Sequence, residues 1–291
     1  MDNWIKAGKI ASKARTYGYS LIKEGVIIRE VLDKIEAFIE KEGGKAAFPA
    51  QISINQIAAH YTSLPSDILT FQKGDICKLD LGVSIEGAIA DTAITKEIGN
   101  KNQKLVEASK IALEEALKLI KPGVALNTIG KKINEVITSY GFNPIKNLSG
   151  HELGEYQVHT GISIPNYDNE DKTVLKENQI IAIEPFATTG EGFVKEGKPS
   201  TIYRLINTKP IRSPSSRKIQ KYLEEEFKTL PFCIRQLTKK FSQPQVSLAI
   251  RELEKAGNIY QYPQLPEKSN GLVSQHEHTV IVKDKPIITT L

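Results

Sequence analysis

Four carboxylates stand inside runs of otherwise apolar, strand-forming residues, and this constrains the chain more than any other feature. Asp80 lies in Ile76-Cys77-Lys78-Leu79-Asp80-Leu81-Gly82-Val83. Asp91 lies in Ala88-Ile89-Ala90-Asp91-Thr92-Ala93-Ile94. Glu184 follows Ile180-Ile181-Ala182-Ile183, and Glu277 precedes Thr279-Val280-Ile281-Val282. An unpaired carboxylate taken out of water costs several kcal/mol, so each must meet a cation or stay protonated. The seven arginines (Arg15, Arg29, Arg204, Arg212, Arg217, Arg235 and Arg251) all lie outside these runs, and Lys78 is the only lysine close to one of the acids. Buried ion pairs, protonated acids and bound metal all remain solutions on spacing alone. Metal accounts for the whole set most economically.

Asp80 and Asp91 are eleven residues apart with Gly82 and Gly87 between them. A bent antiparallel hairpin brings such a pair to one spot, whereas helical spacing does not. Oxygen-rich donors joined by one imidazole suit cobalt, manganese, iron or zinc. Four carboxylates and one histidine balance two divalent ions and a bridging hydroxide to within about one charge unit, which argues for a dinuclear site. Of the five histidines, His276 and His278 flank Glu277 in a strand, so alternation turns both away from its face. His151 follows Ser149-Gly150, where the backbone can approach closely. His60 and His159, read singly, fit a hydrogen-bonded core position better than a functional one.

The rest of the chain supplies a frame. Residues 2–23, 26–41, 101–120 and 126–140 show apolar spacing near 3.6 and predict helices, each pair followed by strand-like sequence. The repeated order predicts an α+β fold built from two duplicated halves. Residues 200–270 break the pattern: a charged helix after Ser213-Pro214, then helix, helix and strand over 234–241, 243–256 and 259–262, a winged-helix-like order. Hence a catalytic domain of residues 1–199 and 271–291 is expected, with 200–270 as an insertion. Candidate recognition helix 243–256 carries Arg251 and Lys255 against Glu252 and Glu254, so its charge nearly cancels and no specific nucleic-acid binding is expected. Cys77 and Cys233 are the only cysteines, apolar runs are short and no leader-like N-terminal segment is evident, which together predict a cytoplasmic protein with no membrane partner.

Five motifs then resemble type II methionine aminopeptidases, in order and over essentially the whole chain. They are Phe48-Pro49-Ala50-Gln51 with Ala58-Ala59-His60-Tyr61; Lys78-Leu79-Asp80-Leu81-Gly82 with Ala90-Asp91-Thr92; Leu148-Ser149-Gly150-His151 with Tyr156, His159 and Gly161; Ile183-Glu184-Pro185-Phe186; and Gln275-His276-Glu277-His278. The resemblance implies the pita-bread fold, with pseudo-twofold halves, and a dinuclear aminopeptidase acting on the initiator methionine of nascent proteins with a small second residue. It implies Asp80 on one of two divalent ions, Asp91 and Glu277 bridging, and His151 and Glu184 on the other. It assigns catalytic roles to His60, His159 and Glu184. It also places Phe48, His60, Val158, His159, Phe186 and Tyr262 around the substrate. The insertion between Glu184 and Glu277 marks type II, and the lack of a long charged extension suggests an archaeal-like, monomeric chain that meets nascent N-termini at or near the ribosome. One pocket histidine of the eukaryotic relatives has no counterpart, Thr201 or Ile202 falling near its place. Competing readings are an Xaa-Pro peptidase of the same fold and a non-catalytic relative that binds RNA or ribosomes.

Overall fold

In the computed structural model, which describes residues 1–291, helix α1 (Asp2–Leu21) turns Ala7, Ala11, Ala14 and Gly18 to the interior. That stripe of small residues lets its backbone come close; a side chain on Gly18 would collide with Ile35 and Leu79. Helix α2 (Ile28–Lys41) buries Val31, Leu32, Ile35 and Ile39 at helical spacing. Both pack on one face of strands β1 (Lys45–Ile54), β3 (Ile76–Ile85) and β4 (Ala88–Glu97), with β2 (Ile57–Ala59) lying between β1 and β3 in sequence. The order then repeats. Helices α3 (Gln103–Leu117) and α4 (Leu126–Ser139) precede β5 (Asn143–Pro144), β6 (Ser149–Gly154), β7 (Gln157–Pro165), β8 (Ile180–Ile183) and β9 (Phe186–Thr188). Leu126, Ile129, Ile133 and Ile137 of α4 join Ile181, Ile183 and Val280 in a second core.

The segment that follows holds β10 (Pro199–Leu205), α5 (Pro214–Glu226), β11 (Phe232–Cys233), α6 (Ile234–Thr238), α7 (Gln243–Ala256), β12 (Ile259–Pro263) and β13 (Leu265–Pro266). β10 lies between β11 and β12, a strand that the composition of this stretch does not announce. Its helices share a core of their own, including Ile219, Leu223, Phe232, Val246 and Leu253. A buried arginine ties it to the first half: Arg235 meets buried Glu36 at 2.6 Å and half-buried Asp33 at 2.8 Å.

The chain returns through β14 (Val273–Gln275), β15 (Glu277–Ile281) and β16 (Ile287–Ile288). The main sheet runs β1-β3-β4-β15-β8-β6-β7, so β15 joins the two halves at the centre, with β16 also paired to it. The strand expected around Glu277 begins only after a break at His276, where the backbone turns from the partner β9 to the partners β4 and β8. Helix pairs cover one face of the sheet, and the functional side chains gather on the other. No helix is long and apolar enough to cross a membrane.

Candidate metal centre

The β3–β4 hairpin turns on Glu86 and Gly87, with φ of 50° and 93°. Two successive left-handed residues make the tight turn that suits twisted antiparallel strands, and glycine takes that conformation without strain. In the resulting register Asp80 faces Ala93 and Asp91 faces Gly82. Both carboxylates therefore sit on one face, diagonal to each other. Glu277 of β15 is also in register with Ala93, from the other side. Three carboxylates thus surround one methyl group that leaves the space above it free. From the second half, His151 pairs with Ala182 on β8, and Glu184 follows that strand. At Gly150 a side chain would strike the carbonyl of Ala182, so glycine lets β6 close onto β8 there.

Donor atoms of Asp91, His151 and Glu277 lie within 4.8 Å of one another. His151 Nε2 is 3.6 Å from Asp91 Oδ2 and 3.7 Å from Glu184 Oε1. His151 is the only ion-pair partner of any of the four acids. Arg15, distant in sequence, does reach this region, but from the helix side: it donates to Thr92 Oγ1 and to His278 Nδ1, behind the sheet. His276 is likewise held behind it by Ser109 at 2.9 Å. The ion-pair solution is therefore not the one the chain uses. Asp80 Oδ1, Asp91 Oδ1 and Glu277 Oε1 are buried without a hydrogen-bond partner. Burial pushes the Asp80 carboxyl up to about 7, and burial with mutual repulsion raises Asp91, Glu184 and Glu277 well above the ordinary range. Burial, then His159, lowers His151 to about 3, which keeps its imidazole neutral and able to ligate. Orphaned oxygens beside a neutral imidazole are what a divalent cation requires, and the donor set fits one.

All five of these residues line one cavity of about 270 Å³, together with His60, His159, Phe48, Val158, Phe186 and Tyr262. His159 stacks at a tilt on His151, ring centres 4.1 Å apart. Its ring opens to the cavity, yet the protein packed around it, then His60 and Arg204, lower its pKa. His60 sits at φ 66°, an uncommon conformation for a residue with a side chain, fixed by its N–H bonding to Gln51 Oε1 at 2.8 Å. Its Nδ1 lies 3.0 Å from the carbonyl of Pro263, which can only accept, so Nδ1 carries the proton and Nε2 is left as an acceptor. Its ring meets Tyr262 edge-on, centres 5.5 Å apart. Ile202, not Thr201, reaches the wall near the position that lacks a histidine. Sequence reasoning missed Gln275, whose Nε2 reaches Glu184 Oε2 at 3.4 Å. Strand alternation puts it on the face of Glu277 and could have found it.

A model of metallopeptidase family M24 matches residues 2–284. The chain is 47% identical over 292 residues to methionine aminopeptidase of Pyrococcus abyssi, covering 100% of this chain and 99% of that one. Among solved structures it superposes on a thermophilic Arx1 with a TM-score of 0.86 at 21% identity, covering 99% and 89% of the two chains. On methionine aminopeptidase of Thermotoga maritima the TM-score is 0.72 at 22% identity, covering 99% and 95%. These two structural likenesses show the shared pita-bread fold.

Proposed function

The chain belongs to metallopeptidase family M24, and on that premise we propose how its cavity works. It is a metal-dependent aminopeptidase that hydrolyses the N-terminal methionine of proteins and peptides. The observation that carries the residue assignments is the set of buried, unpartnered carboxylate oxygens on the floor of an apolar-walled cavity.

Two divalent ions would fit the charge of the donors, and Asp80, Asp91, His151, Glu184 and Glu277 are the residues that would hold them. When bound, such a pair supplies Lewis-acid polarisation of the scissile carbonyl and makes water more acidic. Phe48, Val158, Phe186 and Tyr262 enclose the methionine side chain, whose thioether packs well on aromatic rings. The Nε2 lone pair of His60 accepts from the substrate's terminal ammonium. Glu184, its Oε2 held by Gln275, takes a proton from the attacking water and returns it to the leaving amine. His159, neutral at pH 7, donates its N–H to the reacting amide and steadies the charge that develops there.

The segment 200–270 acts as an inserted unit that walls the pocket through Ile202, Pro231, Tyr262 and Leu265. The small second residue is assigned from the resemblance to type II methionine aminopeptidases. Nascent N-termini in the cytoplasm are the natural substrates, met by a monomer near the ribosome. The test is metal-dependent release of methionine from Met-Ala-Ser peptides against cleavage of Xaa-Pro peptides. Faster cleavage of the latter would replace this reading with the prolidase one.

A further inference from the structure

The catalytic cavity does not end at His159. A second groove of about 330 Å³ opens beyond it, sharing Val158, His159, Pro231 and Tyr262 with the inner cavity and continuing along Arg204 and Thr229. The inner side is closed by the acidic floor. A substrate whose first side chain fills the apolar pocket therefore has its reacting bond at His159, and the remaining chain has this groove before it.

Arg204 is the only residue lining the groove that carries a formal charge, apart from neutral His159. It lies on β10 opposite Tyr260, next to the buried Tyr203, so strand alternation turns it outward. Arg15, Arg29, Arg217 and Arg235 all donate to acceptors within the protein. Arg204, like exposed Arg212 and Arg251, has no such acceptor, but of the three it alone lines the groove, and its planar fork of donors matches a carboxylate.

We infer that this groove is the exit path for the chain beyond the scissile bond and that Arg204 selects a carboxylate among the first residues that leave. The inference rests on the reading of the inner cavity as the methionine site. A carboxylate can come from an acidic side chain or from the free terminus of a short peptide, and the two are separable.

Met-Ala-Xaa-Ser peptides with Xaa = Glu, Gln or Lys, each as free acid and as amide, are cleaved by wild-type enzyme and by Arg204→Gln and Arg204→Glu. An exposed ion pair gives about a two- to fivefold preference in kcat/KM for Glu over Lys, shrinking as salt is added. The Glu/Lys ratio should fall to about one in Arg204→Gln and invert in Arg204→Glu. A ratio seen among the amides assigns the side chain; an Arg204-dependent gain for free acids over amides alone assigns the terminus. Both support the site. Ratios identical in all three enzymes overturn it while leaving the methionine reading intact. No methionine release from any peptide overturns that reading, and this one with it.

Discussion

The hydroxyl of Thr279 is hydrogen-bonded to both the N–H and the C=O of Asp91, at 2.7 and 2.8 Å. Four residues on from Asp91, and four back from Thr279, the roles reverse: the Thr95 hydroxyl bonds the N–H and the C=O of Gln275, at 2.8 and 2.6 Å. Between them only Glu277 and His278 pair directly with β4. The two halves of the sheet thus part on either side of Glu277, and a hydroxyl fills each gap. A buried backbone group without a partner costs about 1–3 kcal/mol. Thr279→Val should therefore lower thermal stability and loosen metal binding through Asp91, whereas Thr279→Ser retains both. Melting curves and metal titrations of the two variants decide it; a valine variant that melts and binds metal like wild type sinks the idea.

The floor of the site sets a pH dependence for metal. Asp80 is raised to about 7, and Asp91, Glu184 and Glu277 are raised well above their ordinary range, all chiefly by burial. In the metal-free protein protonated Asp80 adds stability that is complete below the unfolded value of about 4 and is lost as pH rises through about 7, and the other three acids, raised in the same direction, act with the same sign. Metal must displace their protons, so its affinity grows with pH over the same window. His276 and Lys78, also shifted by burial, are present with and without metal and cancel in the difference. The metal-induced rise in Tm should be small near about pH 5.5 and large near about pH 8. A pH-independent rise rules the account out. Glu277→Gln removes one charge from the floor, and the folded variant should lose both metal affinity and turnover; normal turnover at normal metal content refutes the dinuclear reading.

His159 touches His151 and lies outside the proposed ligand set. His159→Ala should lower kcat by roughly a hundredfold or more, as for a lost transition-state donor, with metal content unchanged. Loss of metal in that variant would make His159 a ligand instead.

Tyr262 reaches the pocket from the end of the inserted segment and packs edge-on against His60. Tyr262→Ala should reduce kcat/KM for methionyl peptides by about ten- to a hundredfold, the loss of 1–3 kcal/mol typical of an altered apolar pocket. Unchanged cleavage would remove the inserted segment from substrate recognition. Binding of a specific duplex by the intact enzyme at physiological salt would contradict the charge balance of α7.

Much of this arrangement was readable from the chain. The four main helices carry their apolar residues at a period that no other structure satisfies. Asp80, Asp91, Glu184 and Glu277 stand out because their neighbours are apolar, a contrast that needs no knowledge of the fold. What stayed hidden depends on contacts between distant residues. Arg15 crosses 263 residues to His278, and Arg235 crosses 199 to Glu36. Neither leaves a local pattern, because each partner alone looks like an ordinary helix or strand residue. The break at His276 was equally silent, since the sequence on both sides of it continues to favour a strand.

The central place of β15 also bears on how the protein is made. Synthesis delivers β4 and β8 long before the strand that lies between them. Until Glu277–Ile281 arrives, two inner edges carry open backbone donors and acceptors, a surface prone to wrong pairing. Contacts across such long separations are slow to form. The newborn enzyme therefore passes through an interval in which the second core lacks Val280 and the proposed ligand set lacks its last carboxylate. Catalytic competence comes as the final event of its own folding.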